Sequence, residues 1–254
     1  MSSSRSLVAA FALWALSPLV SAKVVIDEFS DAAGTSFVNG GLFESTAAQL
    51  GSMVGGARFE GLLCFFACDF NAPFHAQLSI GGGALAVTPP PAGLATTRVL
   101  WGDVSPNSTV FPLAPLALDL SAESAFQLRF NSITANLLVQ LVVVSASGQS
   151  VYSPVLNNPG VVLPAGGAQT LTLPFSGFVG AASFSSIKGL GLVLGGNNGS
   201  GTEAALASFS LDSVVAVPVP EPGTAAMWGA GLLGLGAAAA RRQPRRRSRP
   251  TNWP

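Results

Sequence analysis

Hydrophobic and polar residues alternate in short segments along most of the chain. In AFQLRF, Phe126 and Leu128 fall on one face of an extended segment, and Gln127 and Arg129 fall on the other. Successive side chains of a strand point to opposite sides of a sheet, so this pattern predicts a strand with one buried face and one solvated face. The segment AQTLTL, from residue 168 to 173, alternates in the same way.

A second pattern is apolar on both faces. Leu137 to Val144 contains only one polar residue, Gln140, which predicts a central strand covered on both sides. KVVIDEF near residue 23, IKGLGLVLG near residue 187 and ASFSLDSVVAV ending at Val217 predict further strands. The part between Thr35 and Gly56 is ambiguous and includes a possible short helix over 45–50.

Turn residues separate these segments into short strands, and this spacing indicates the fold class. Gly81 begins a GGG run, and TPPPAG and NNPG interrupt the chain further on. About ten short strands and no long helical periodicity predict an all-β fold, an antiparallel jelly-roll-like β-sandwich, for residues 23–217. A barrel is the alternative.

The N-terminal segment has the pattern of an export signal. Arg5 precedes an apolar run, and Val20-Ser21-Ala22 presents small or β-branched residues to a signal peptidase. Residues 1–22 are therefore predicted to be a signal peptide that is cleaved after Ala22. The alternative of a buried helix is disfavoured by Pro18, which would interrupt it.

Charge is distributed unevenly along a chain that is 49% hydrophobic and 9% charged. Residues 23–220 carry five basic and eleven acidic residues, a net charge of −6, whereas six arginines and no acid follow Ala240. An acidic domain lacks the clustered Lys and Arg that phosphate contacts need, so no nucleic-acid partner is expected.

The C-terminal part, VPVPEPGTAAMWGAGLLGLGAAAARRQPRRR, combines a proline-rich hinge, an apolar run and an arginine cluster. This order resembles the C-terminal sorting signal of the PEP-CTERM proteins of Gram-negative bacteria. The signal covers 218–247, with a predicted transmembrane helix over 225–240, and 248–254 is a short tail. Arginines directly after an apolar span favour the cytoplasmic side of a membrane. The 16-residue span is shorter than the roughly 20 residues of a typical transmembrane helix, which favours a temporary anchor.

The resemblance implies a processing enzyme and a location. An exosortase would recognise Val219-Pro220-Glu221-Pro222 and cleave in this region, with Arg241 and Arg242 retained at the inner membrane. The protein would be anchored transiently and then reach the cell envelope, the surface or the extracellular polymer. VVIDEFSD and FSLDSVVAV are also similar to the first and last strands of many PEP-CTERM ectodomains and of carbohydrate-binding-like sandwiches.

Cys64 and Cys68 are the two cysteines, and export would place them in an oxidising compartment. In an extended strand they would lie about 13 Å apart, so a disulfide requires the chain between them to turn. A disulfide is favoured, and a pair of small buried hydrophobic residues is the alternative. His75, the single histidine, does not complete a four-ligand metal site with them.

Candidate ligand-binding residues are few. Within residues 23–217, Trp101 and Tyr152 are the Trp and Tyr side chains that could form a platform for stacking on a sugar ring. For Trp101, packing in the core is the favoured interpretation.

Asp27, Glu28 and Asp212 would approach one another if the first and last strands pair, but solvated side chains are favoured over a calcium site. One isolated histidine supports no catalytic triad. The sequence thus predicts a non-catalytic surface or matrix protein without a cofactor, with an exopolysaccharide-binding module as the alternative.

Overall fold

The computed structural model describes residues 23–31, 34–38, 41–44, 49–66, 76–88, 94–104, 113–153, 160–195 and 208–218. All of them lie in the first of two compact units, Met1–Pro218. The predicted signal peptide, transmembrane helix and tail lie outside these residues, as does the sorting signal except for Pro218.

The described strands form two antiparallel sheets. The first has seven strands: β1 (Val24–Asp27), β2 (Gly34–Val38), β6 (Ala76–Gly81), β7 (Ala84–Thr88), β9 (Ala125–Ile133), β13 (Gln169–Pro174) and β16 (Phe209–Val217). The second has nine: β3 (Gly41–Glu44), β4 (Gln49–Leu50), β5 (Ala57–Phe66), β8 (Leu94–Gly102), β10 (Leu137–Ser145), β11 (Gly148–Tyr152), β12 (Val161–Leu163), β14 (Phe178–Gly180) and β15 (Ile187–Leu194). Single 3-10 turns lie at Val54–Gly56 and Phe175–Gly177.

Neighbouring strands are frequently distant in the chain. The seven-stranded sheet has the order β13-β9-β16-β7-β6-β2, and β1 is added beside β16. The nine-stranded sheet has the order β14-β11-β10-β15-β8-β5-β3, with β12 beside β10 and β4 beside β5. The inner faces of both sheets contribute to one hydrophobic core, for example Leu78 and Leu128 from the first sheet and Val99 and Leu141 from the second. The predicted all-β sandwich is confirmed.

Several predicted strands are confirmed in their burial as well as their position. In β9, Phe126, Leu128 and Phe130 are buried and Arg129 is exposed. In β10 both faces are largely buried, as expected for a central strand. In contrast, Gln49–Leu50 is a short strand, so a helix over 45–50 is wrong for these two residues, and 45–48 lies outside the described residues.

The first and last strands of the sandwich pair with each other. Val24 lies opposite Ala216, and β16 also pairs with β9 along its length and with β7 near its start. A β-bulge between Val25 and Asp27 breaks the alternation of β1, so Ile26 and Asp27 are both buried. This irregularity directs a carboxylate into the interior between the sheets.

Candidate functional site

Charged side chains form a buried cluster that connects the two sheets. The Arg58 guanidinium on β5 contacts Asp27 on β1 through Nη1, at 3.2 Å from Oδ1 and 3.0 Å from Oδ2. The same Nη1 lies 3.0 Å from Asp31 Oδ2, and Arg58 Nε donates to Glu60 Oε1 at 2.8 Å. Trp101 on β8 donates its indole N–H to Asp27 Oδ2 at 2.9 Å. These five residues are called the Arg58 cluster below.

Local backbone geometry places the members of the cluster. Arg58 and Glu60 are two residues apart on β5 and therefore share its inner face with the buried Leu62. Directly after β1, the Phe29 N–H donates to Asp27 Oδ1 at 2.8 Å, and Phe29 adopts a positive φ of 49°. The Phe29 ring lies 5.5 Å from the Arg58 guanidinium carbon, within the range of a cation–π contact.

The cluster shifts the ionisation of its members in different directions. Burial raises the pKa of Glu60 above its ordinary value, and the hydrogen bond from Arg58 only partly opposes this. The Ser52 backbone N–H, 2.9 Å from Asp31 Oδ1, lowers the pKa of Asp31, and Arg58 adds to this effect although burial opposes it. Burial by itself would lower the pKa of Arg58, but Asp27 and Glu60 outweigh it, so the net pKa is raised.

The chemistry of the Arg58 cluster is that of a structural ion network. Arg58 and Asp27 are 2% and 1% exposed, and their facing atoms are paired with each other. Among the residues that the structure describes, no group of three or more His, Cys, Asp or Glu side chains is arranged to hold a metal ion.

The expectation that Asp27 is solvated is wrong, because the bulge turns it inward. Glu28 is exposed, as expected, and lies 3.9 Å from Lys23 Nζ.

The two candidate platform aromatics lie in the interior. Trp101 is 0% exposed and belongs to the Arg58 cluster. Tyr152 is 8% exposed, and its ring is 5.2 Å from the Phe178 ring in an edge-on arrangement. A ring without an open face does not stack on a sugar, so this geometry favours packing for both residues.

The cysteine and histidine candidates are described only in part. Cys64 lies on β5, opposite Gly41 on one side and Ala95 on the other. The strand is irregular between Cys64 and Phe66, where it ends. Cys68 and His75 lie outside the described residues, so the disulfide stays a prediction.

The candidate sorting residues also lie outside the described part of the chain. They are Ala22, Val219, Pro220, Glu221, Pro222, Arg241 and Arg242. Within the described ranges, the structure contains no helix that is long and apolar enough to cross a membrane. The predicted span over 225–240 is not among those ranges.

The solvated face of the seven-stranded sheet forms a polar surface across neighbouring strands. Thr170 on β13 lies opposite Arg129 on β9, which lies opposite Ser213 on β16. One row further, Thr172 lies opposite Gln127. We define the outer polar face by the side chains of Gln127, Arg129, Ser132, Thr170, Thr172 and Ser210, all of which are exposed or half-buried. The sequence predicted the outward direction of four of them, but not which strands are neighbours.

Comparison with known proteins gives a distant structural likeness. No family model matches the chain, and no curated protein matches it. Among solved structures, it is similar to a family 11 carbohydrate-binding module from Clostridium thermocellum in complex with a β-1,3-1,4-mixed-linked tetrasaccharide. The identity is 13% and the TM-score 0.39, over 78% of this chain and 97% of that chain. A family 11 module of a cellulosomal cellulase from the same organism gives 14% identity and a TM-score of 0.37, over 78% and 95% of the two chains. A likeness this distant carries no argument about what the present chain binds.

Proposed function

We propose that the protein is an exported, non-catalytic cell-surface or extracellular-matrix protein that an exosortase sorts and processes at its C-terminal signal. The Pro-Glu-Pro hinge, apolar run and arginine cluster over 218–247 support this proposal, and the pairing of β1 with β16 is the structural observation compatible with it. Val24 lies opposite Ala216, so the chain enters and leaves the sandwich at the same end of one sheet. In the sequence, the predicted processing regions come directly before β1, after Ala22, and shortly after β16, around Glu221.

The order of segments gives the proposed sequence of events. Residues 1–22 direct export, the helix over 225–240 holds the chain in the inner membrane, and Arg241 and Arg242 stay on the cytoplasmic side. The sandwich, with its jelly-roll-like connectivity, would then be released or attached to extracellular polymer after cleavage near Val219-Pro220-Glu221-Pro222. Because β16 is hydrogen-bonded on both sides, the strand next to this hinge is held firmly in its sheet.

Replacement of Glu221 tests the sorting proposal. We expect the full chain, produced in a host that has an exosortase, to give extracellular protein that lacks Arg241 and everything after it. Glu221→Ala should stay cell-associated with an intact C-terminus. Mass spectrometry of the mature protein measures both results.

Glu28→Ala is the matched control, since it removes one exposed acid of the sandwich that lies outside the predicted sorting signal. It should be processed like the unmodified chain. An intact C-terminus on extracellular material from the unmodified chain would contradict the proposal.

A carbohydrate- or exopolysaccharide-binding module is the second candidate. It is favoured by the outer polar face, whose amide, hydroxyl and guanidinium groups are the kinds that hydrogen-bond to sugar hydroxyls. A site built on Trp101 or Tyr152 is disfavoured, since both are buried. Binding would therefore depend on hydrogen bonds rather than on stacking.

A further inference from the structure

We infer that the outer polar face binds an uncharged polysaccharide, with Arg129 and Thr170 at the centre of the contact. This inference builds on the proposed surface role and names its polymer class and its binding face. It concerns side chains of the adjacent strands β13 and β9, with Ser210 of β16 at one end, because Ser213 and Val215 of β16 are buried. The register of these strands places the side chains in parallel rows.

The central side chains of this face are free to accept a partner. Arg129, Thr170 and Thr172 are exposed, and Gln127 is half-buried. None of the residues in the described ranges provides a hydrogen bond or an ion pair to these four side chains. Their donors and acceptors are directed to solvent rather than used to hold the fold.

The geometry of the face is suited to an extended polymer. Adjacent strands lie about 4.8 Å apart, and residues two apart on one strand are about 7 Å apart, so the side chains form rows of polar groups. Two shifts of register between Ser210 and Ser213 separate the row of Arg129 from the row of Ser210. In this third row, Ser132 lies opposite Ser210, Ser210 opposite Ala86, and Ala86 opposite Ser79. A chain of sugar rings presents hydroxyls at intervals along its length and can meet several rows at once.

The chemistry of the face excludes other classes of partner. It has one arginine, whereas nucleic acid and acidic polymers require clustered cations, and the net charge of −6 over 23–220 repels polyanions. Val25, which lies in the row of Gln127 beyond Val215, is 36% exposed, and one partly exposed valine is smaller than the anchors that dominate protein interfaces or membrane insertion. A neutral, hydroxyl-rich polymer matches the donors and acceptors that are present.

Affinity electrophoresis of the mature protein, produced from the full chain, tests this inference. The gels contain a soluble neutral glucan, alginate or duplex DNA. We expect retardation by the glucan only. The variant Arg129→Ala/Thr170→Ala should weaken it about tenfold, because it removes two or more hydrogen bonds of about 0.5–1.5 kcal/mol each.

Arg98→Ala is the matched control. It removes the same charge from an exposed position of the nine-stranded sheet, on β8, and should change retardation by less than about twofold. The inference is overturned by retardation in alginate or DNA but not in the glucan, by no retardation at all, or by equal effects of the two variants.

The same samples separate this inference from the sorting proposal. The mass of the C-terminus reports processing independently of retardation. An unprocessed protein that still binds the glucan would refute sorting alone, whereas a processed protein that does not bind would refute the inference alone.

Discussion

Asp27 is the residue on which the connection between the two sheets depends most. It receives Arg58 from β5, Trp101 from β8 and the Phe29 N–H, and its side chain is 1% exposed. Asp27→Asn keeps the shape of the side chain but removes the charge of the most deeply buried carboxylate that contacts the Arg58 guanidinium. We expect the free energy of unfolding to fall by about 3 kcal/mol, as when one partner of a buried ion pair is removed. Chemical denaturation measures this value.

Glu28→Gln is the control for Asp27→Asn. Glu28 is the next residue, and its pair with Lys23 is about half exposed on both sides. Loss of an exposed pair should change the free energy of unfolding by less than about 0.5 kcal/mol. Equal effects of the two substitutions would show that the Arg58 cluster does not stabilise the sandwich.

Glu60 should make the stability of the sandwich depend on pH. Its pKa is raised by burial above the ordinary value of 4.5, so its protonated form is favoured by folding. This contribution is fully present below pH 4.5 and is lost as the pH rises through the raised pKa. Asp31 acts in the opposite direction, because its lowered pKa adds stability that is lost only as the pH falls below its ordinary value of 3.8.

Glu60→Gln isolates the alkaline side of this dependence. Glutamine cannot ionise, yet its carbonyl oxygen can still accept from Arg58 Nε. Chemical denaturation measures the free energy of unfolding at several pH values from about 5 to about 8. As the pH rises, this free energy should fall less in the variant than in the unmodified protein. A loss of the same size in Glu60→Gln would mean that Glu60 is ionised in the folded state throughout.

At the level of the strands, the alternation of apolar and polar residues predicted the strand and its buried face where a strand is long and has one solvated face. It predicted β9 and β13 with the correct inward residues, and it predicted β10 as a covered central strand. These segments are long enough for a two-residue period to be distinguished from a chance run of apolar residues. About ten strands were predicted, whereas the described residues contain sixteen.

The missed strands and the missed cluster have physical reasons. Strands such as β4, with two residues, and β12, with three, are too short to show any period. In β5, Arg58 and Glu60 alternate with less polar residues, a pattern typical of a solvated face, yet this face points into the core. Their partner Asp27 is 31 residues from Arg58 and turns inward through a bulge, and no local pattern shows either fact.

At the scale of the whole molecule, the adjacency of the two ends of the sandwich is a testable property of its topology. Paired Cα atoms of antiparallel strands lie about 5 Å apart, so a few residues can join the end of β16 to the start of β1. We consider a circular permutant of residues 23–218 with a short Gly-Ser linker between these ends. Its new termini lie in the turn between β6 and β7, at Gly82 and Gly83.

This permutant should fold to the same sandwich. Its free energy of unfolding should lie within about 1 kcal/mol of that of the unpermuted 23–218 chain. The reason is that the short linker between β16 and β1 replaces the short turn between β6 and β7, so the entropy cost of closing the loop is similar. Circular dichroism and denaturation measure both chains. A second permutant, with the same linker but opened between Leu128 and Arg129 within β9, interrupts a strand that pairs with both β13 and β16 and should not fold. If the first permutant also fails while the unpermuted chain folds, the ends are not adjacent, and the structural observation compatible with the sorting proposal is lost with them.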